Sequence, residues 1–212
     1  MKTFFKKYWH ALFGLYLFIY LPVFSYLEKT VTTDYHVIHC PVDDMIPFCE
    51  YFIVPYFFWF VFIAAACVWF FFKSQKELTQ MALGLIIGMS LTVAFYFIYP
   101  NGLGSVRPET FPRDNIFTDA VKFLYSTDTS TNVCPSLHVY NTLVVIAAVF
   151  NSKTFKHPAA MKIVVSVIGL FICASTLFLK QHSLIDVIAA TCLAAILLPL
   201  VYNYERIFKR HK

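Results

Sequence analysis

The sequence predicts an all-α fold: one membrane-embedded domain over residues 1–212, built as a bundle of six transmembrane helices. Three observations predict it. The chain is 59% hydrophobic and only 14% charged, against about 25% charged residues in soluble domains, and its mean hydropathy is +0.66. Its apolar runs approach the roughly 20 residues that a helix needs to cross a bilayer. Lys and Arg gather at the ends of those runs, on one side of the expected bundle.

The first run extends from about Tyr8 to Leu27. Lys2, Lys6 and Lys7 precede it, as in a signal peptide, but the apolar core is too long and no small-x-small cleavage site follows. It reads as an uncleaved span. Further spans are expected at about Pro47–Phe72, Met81–Tyr99, Ser136–Phe150, Met161–Leu179 and Ser183–Tyr202. The fourth is short and opens on polar residues. Six spans put both termini on one side. That side receives 12 of the 17 Lys and Arg residues and the other side 5, so the positive-inside rule places both termini in the cytoplasm. The segments 28–46, 100–135 and 180–182 then face outward. The second of these is long for a connection, and polar loops of that length are often functional.

Composition also excludes. The net charge of +5 belongs to span ends rather than to a basic stripe, so no nucleic-acid partner is expected. The six cysteines contain no C-x-x-C pair, which argues against a zinc ribbon or a thioredoxin-like site. Cys40 and Cys49 share one outward segment, and spacing alone leaves their pairing open. The 24 Phe and 13 Tyr suit span packing and membrane interfaces.

Polar residues beside spans carry the functional signal, and three groups fall at one membrane depth. They are Ser105-Val106-Arg107-Pro108, Cys134-Pro135-Ser136-Leu137-His138, and Lys180-Gln181-His182-Ser183-Leu184-Ile185-Asp186. His182 and Asp186 are four apart and share a helix face. A carboxylate there fixes the imidazole tautomer and frees the other ring nitrogen to act as a nucleophile or base. His138 sits at a helix start, where free backbone N–H groups favour phosphate. Ser136 suits the N-cap position. Arg107 and Lys180 could neutralise phosphate charge. Each residue taken singly also has a structural use; the three groups together point to a phosphate-ester site.

These groups resemble the signature of the type 2 phosphatidic acid phosphatase superfamily, K-x6-R-P, P-S-G-H and S-R-x5-H-x3-D. The sequence matches at Arg107-Pro108, at Pro135, Ser136 and His138, and at Ser175, His182 and Asp186, in order, within about residues 80–205. The resemblance implies a membrane phosphatase acting on a lipid phosphate or pyrophosphate at the extracytoplasmic leaflet of the cell membrane. His182 would form a phosphohistidine, Asp186 would orient it, and His138 would protonate the leaving oxygen. Arg107 would bind the phosphate, with no metal or cofactor; Lys180 and Ser136, beside the motif histidines, are the further phosphate-binding candidates. The sequence departs from the pattern at Pro100 and Thr176, which replace its Lys and Arg, and at Leu137, which replaces its Gly. Lys180 is the expected substitute for one missing cation. P-S-L-H is also similar to fungal inositol phosphorylceramide synthases, so transfer of a phospho-headgroup to an alcohol is the alternative reaction. The specific lipid and the oligomeric state stay open.

Three other chemistries compete. His36, His39, Cys40, Asp43 and Asp44 could ligate a metal in the first outward segment. A cysteine phosphatase would need Arg six residues after Cys134, where Tyr140 stands. A lipid transporter or binding protein would place ionisable residues through the span centres, but here they gather at one interface.

Overall fold

Long runs of Phe, Ile, Leu and Val satisfy their backbone groups internally by forming helices, as a lipid solvent demands. The computed structural model describes residues 14–208. Eight helices follow in order: α1 (Tyr16–Thr30), α2 (Pro41–Met45), α3 (Ile53–Lys73), α4 (Gln75–Ile98), α5 (Ile116–Thr127), α6 (Leu137–Asn151), α7 (Pro158–Phe178) and α8 (Leu184–Phe208). A 3₁₀ turn, Glu50–Phe52, leads directly into α3. Two short strands, β1 (His36–Val37) and β2 (Asn101–Gly102), pair in parallel.

Four of these helices are long and apolar enough to cross a membrane: Glu50–Lys73, Gln75–Ile98, Pro158–Phe178 and Leu184–Asn203. Four of the six expected spans therefore reach that length among the described residues. The expected first span, Tyr8–Leu27, falls partly outside the described residues; α1 is its described part. The fourth is α6, apolar but only 15 residues long. At about 1.5 Å per residue it spans roughly 22 Å, less than the ~30 Å hydrocarbon core. It packs against α3, α4, α7 and α8, so its neighbours rather than lipid surround it. The outward faces of other helices carry large apolar residues, among them Phe72 (77% exposed), Leu170 (69%) and Ile196 (64%). Water would not tolerate such a surface; lipid would.

Tyr140, Val144 and Val145 of α6 centre the main core, with Met81, Ile172, Ala190 and Ala194 around them. Gly88 makes the closest approach possible. A Cβ there would stand 2.0–2.2 Å from atoms of the Tyr140 phenol. The Tyr140 hydroxyl then donates to the Gly84 carbonyl at 2.8 Å.

Residues 100–135, expected as one long loop, fold against the bundle end. The β1–β2 pair ties them to the first connecting segment, and a bridge joins Gly102 to Thr131. Within them α5 is amphipathic. Asn115 caps it by accepting from the amides of Phe117 and Thr118, and Val121 and Leu124 bury against Ile53, Tyr56 and Leu179. Arg113 anchors the stretch through a forked contact to the buried Glu50, with Nε and one terminal nitrogen on its two oxygens at 2.5 and 3.1 Å. Cys40 and Cys49 are free thiols.

Candidate active site

The site forms where α6 and α8 begin. Ser136 starts α6, its hydroxyl oxygen accepting from the Val139 amide at 3.3 Å. Its own amide donates to the Asp186 carbonyl at 3.2 Å, joining the two helix starts directly. Asn101 sets the approach to α6. It is fully buried, and it accepts from the amides of Val133 and Cys134 while donating to the Tyr99 and Cys134 carbonyls. Tyr96 adds a 2.7 Å bond to the Pro135 carbonyl.

The start of α8 is a capping arrangement with a second use. Ser183 accepts from the Ile185 amide at 3.1 Å, and Asp186 reaches back to accept from the Ser183 amide at 2.9 Å. The same Asp186 oxygen lies 3.2 Å from His182 Nδ1. With Nδ1–H donating to the carboxylate, Nε2 carries the free lone pair. Asp186 is fully buried and His182 is 9% exposed, so the pair works largely out of water.

His138 faces His182 with ring centroids 5.9 Å apart, within reach of one phosphoryl group between them. Tyr56 and Trp59 of α3 flank it at 4.5 and 4.4 Å, and Trp59 Nε1 donates to its carbonyl at 3.1 Å. Its Nε2 is buried without a hydrogen-bond partner among the described residues. A buried, unpaired imidazole nitrogen is costly for the fold and useful for moving a proton.

Both histidines line a cavity of about 450 Å³. Its walls are apolar toward α1 and α3, with Tyr20, Phe24, Phe57 and Phe60. They turn polar beside the histidines, with Asp128, Thr129, Thr131, Asn132 and Gln181. Burial raises the Asp128 carboxylate above the ordinary range, partly offset by Arg107, His182 and the Tyr56 hydroxyl.

The six residues expected from the sequence do not all meet. His138, His182 and Asp186 come together. Ser136 stays buried as the α6 cap and does not line the cavity. Arg107 stands behind the wall, donating to the Asp128 and Thr129 carbonyls and to Gln181 Oε1 at 2.6–2.9 Å, with its guanidinium 4.4 Å from the Tyr125 ring centre. Lys180 turns its ammonium onto the Asp43 and Ile46 carbonyls at 2.6 and 2.5 Å. It does not line the cavity either. The expected replacement of a missing motif cation is thus not seen in this arrangement, because backbone oxygens of the first connecting segment already hold the charge.

The competing sites also resolve into contacts. His39 bonds Asp44 at 2.9 Å, His36 stacks on Tyr99 at 4.2 Å, and Asp43 serves the start of α8. Among the described residues, no group of three His, Cys, Asp or Glu side chains is arranged to hold a metal. Burial, then the neighbouring Asp186, pushes the Cys134 thiol up to about 12, which leaves almost no thiolate at neutral pH.

The sequence reading misses Asn101, takes Asp43 only as a candidate metal ligand, and leaves the roles of Asp128 and Gln181 unread. Asp128 and Gln181 each lie near a motif or in the long loop, but only folding shows that they face the cavity.

A family model described as the PAP2 superfamily matches residues 77–210, more than half of the chain. The chain belongs to the PAP2 superfamily. The matched stretch contains both histidines, Asp186 and Arg107, and begins near the start of α4. No curated protein and no solved structure matches the chain. Membership makes it a phosphatase or phosphotransferase of the lipid type, and its apolar helices make it a membrane protein.

Proposed function

We propose that this PAP2 superfamily member hydrolyses a lipid phosphate or pyrophosphate at the extracytoplasmic leaflet, through a phosphohistidine on His182. The observation that carries the reading is the His138–His182 pair, 5.9 Å apart at the polar end of an otherwise apolar cavity. A lipid's tails suit the apolar walls, and its phosphoryl group suits the space between the rings.

In the first step the His182 Nε2 lone pair attacks phosphorus, and the bond to the leaving oxygen breaks. His138 gives that oxygen its proton. The negative charge of the bound substrate favours the imidazolium that this needs. Asp186 holds Nδ1–H and stabilises the positive charge that develops on the ring. In the second step neutral His138 takes a proton from water, whose oxygen attacks phosphorus and releases phosphate with His182 restored. Neither step calls for a metal. The sequence reading of six spans with both termini in the cytoplasm, which rests on the 12 to 5 split of Lys and Arg, supports an outer-face location for this chemistry.

Transfer to an alcohol is the second reading, and a specific observation favours it. Pro100 and Thr176 replace two motif cations, and the terminal nitrogens of Arg107 and the Lys180 ammonium donate to protein oxygens, while Arg107 Nε has no partner among the described residues. The cavity wall instead offers Asn132 Oδ1 and Gln181 Nε2, buried and unpartnered among the described residues. Such a wall suits a singly charged phosphodiester and a hydroxyl-bearing group better than a doubly charged monoester.

The test is purified protein against a panel of phosphatidate, phosphatidylglycerol phosphate, a polyprenyl pyrophosphate and phosphatidylinositol, reading free phosphate and transferred headgroup. Turnover that His182→Ala abolishes and a chelator leaves intact supports the reading. Full turnover in His182→Ala defeats it.

A further inference from the structure

Asp43 is a buried ionisable residue for which the catalytic scheme has no use. It lies in α2, is 3% exposed, and precedes the stretch matched by the family model. Three donors fill its carboxylate. The Cys40 amide donates at 2.9 Å, the Ser183 hydroxyl at 2.6 Å and the Leu184 amide at 2.8 Å. Two of the three belong to the turn that carries His182.

Lys180 makes the reciprocal contact. Its ammonium donates to the carbonyls of Asp43 and Ile46, and its own backbone sits in the left-handed region at φ 52°. A non-glycine residue there is strained and persists only where its surroundings enforce it. Residues 180–184 are therefore gripped at both ends by one short segment. Burial works against the Asp43 carboxylate, but the Leu184 amide, the Ser183 hydroxyl and the Cys40 amide outweigh it and hold the group below the ordinary range. It is ionised at neutral pH, so these are charge-assisted bonds.

The first amides of α8 show why the grip matters. The Ser183 amide goes to Asp186 and the Ile185 amide to the Ser183 hydroxyl oxygen. The Leu184 amide has Asp43. Remove Asp43, and that amide loses its acceptor while the Ser183 hydroxyl is free to rotate. The Asp186 oxygen shared by the Ser183 amide and His182 Nδ1 then loses its fixed place.

We infer that Asp43 is a positioning residue for the reaction, holding the first turn of α8 so that the His182 imidazole meets the phosphoryl group at a fixed angle. The inference rests on His182 as nucleophile. It brings a segment outside the matched family region into the catalytic apparatus.

The experiment compares Asp43→Ala, Asp43→Asn, Ser183→Ala and His182→Ala in full-length purified protein. Asp44→Ala, at a side chain 69% exposed, is the control. The probe is dioctanoyl phosphatidate or dioctanoyl phosphatidylinositol, whichever the wild-type chain turns over. Asp43→Ala is expected to lower kcat about 100-fold, the scale of a 1 Å misplacement, with KM within about twofold. Asp43→Asn, which keeps one acceptor oxygen, is expected to fall in between, and Asp44→Ala to match wild type. Hydrogen exchange, which needs no substrate, should speed at residues 183–185 in both Asp43 variants and not in the α3–α4 core. If Asp43→Ala does not fold, Asp43→Asn and Ser183→Ala decide. An inert His182→Ala beside Asp43→Asn and Ser183→Ala with wild-type kcat and exchange overturns this inference alone. An active His182→Ala overturns the function it rests on.

Discussion

Replacing Asp186 with Asn tests the geometry at the start of α8 most economically. The substitution keeps the shape but removes the charge. In the native chain one Asp186 oxygen takes both His182 Nδ1 at 3.2 Å and the Ser183 amide at 2.9 Å, with the residue fully buried. Hydrogen bonds to a charged partner contribute about 1.5–3 kcal/mol each. The Asn oxygen can keep the Ser183 amide, so the lost charge bears mainly on His182, and more so as its ring becomes positive in the transition state. A loss of about 3–5 kcal/mol follows where a buried charge pair is broken, or about two to four decades in rate. The assay is kcat and KM on the best lipid from the panel, beside a thermal midpoint in the same detergent. We expect kcat to fall by at least about 100-fold with KM little changed and a modest drop in midpoint. A kcat within about tenfold of wild type in a folded Asp186→Asn protein would mean that the carboxylate charge is not needed at His182.

Three further outcomes are expected. His138→Ala should slow substrates with poor leaving groups by about 10²–10⁴-fold and those with an activated leaving group, such as p-nitrophenyl phosphate, much less; equal losses on both would remove His138 as the proton donor. Asp128 repels an anionic substrate when ionised, and burial raises its carboxylate above the ordinary range. KM should therefore fall as pH drops through that titration, and Asp128→Asn should show the low KM already at pH 7.5, so an unchanged KM in the variant contradicts this. Gly88→Ala forces a Cβ within 2.0–2.2 Å of the Tyr140 phenol and should cost about 1–3 kcal/mol or more, read as a lower thermal midpoint; an unshifted midpoint would mean that α4 and α6 part easily.

Much of the helical architecture was legible in the sequence because lipid imposes a simple rule on length and hydropathy. The four long helices fall within a few residues of the expected spans, and Ser74 explains one shift. It caps α4 through the Glu77 amide, which starts that helix at Gln75 rather than near Met81. The length of α6 was less legible, since a helix wrapped by its neighbours need not match the bilayer. In the site, the spacing of four predicts that His182 and Asp186 share a helix face; they do meet, but His182 lies in the turn before α8 and Asp186 reaches back to it. Motif order suggests that His138 is near them. The fates of Lys180 and Asp43 could not be read. Their contact joins residues more than 130 apart, and nothing in either local sequence announces it. The α5 helix was hidden for a related reason: its polar face and modest length read as loop until Val121 and Leu124 found α3 and the end of α7 to pack against.

The most direct measurement is to quench the working protein in alkali, which preserves phosphohistidine, and to locate the adduct by mass spectrometry. Modification of His182 is expected, absent in His182→Ala, with an adduct mass that separates a bare phosphoryl group from a phospho-headgroup. An adduct on any other residue, or turnover at the wild-type rate without His182, would contradict His182 as the nucleophile.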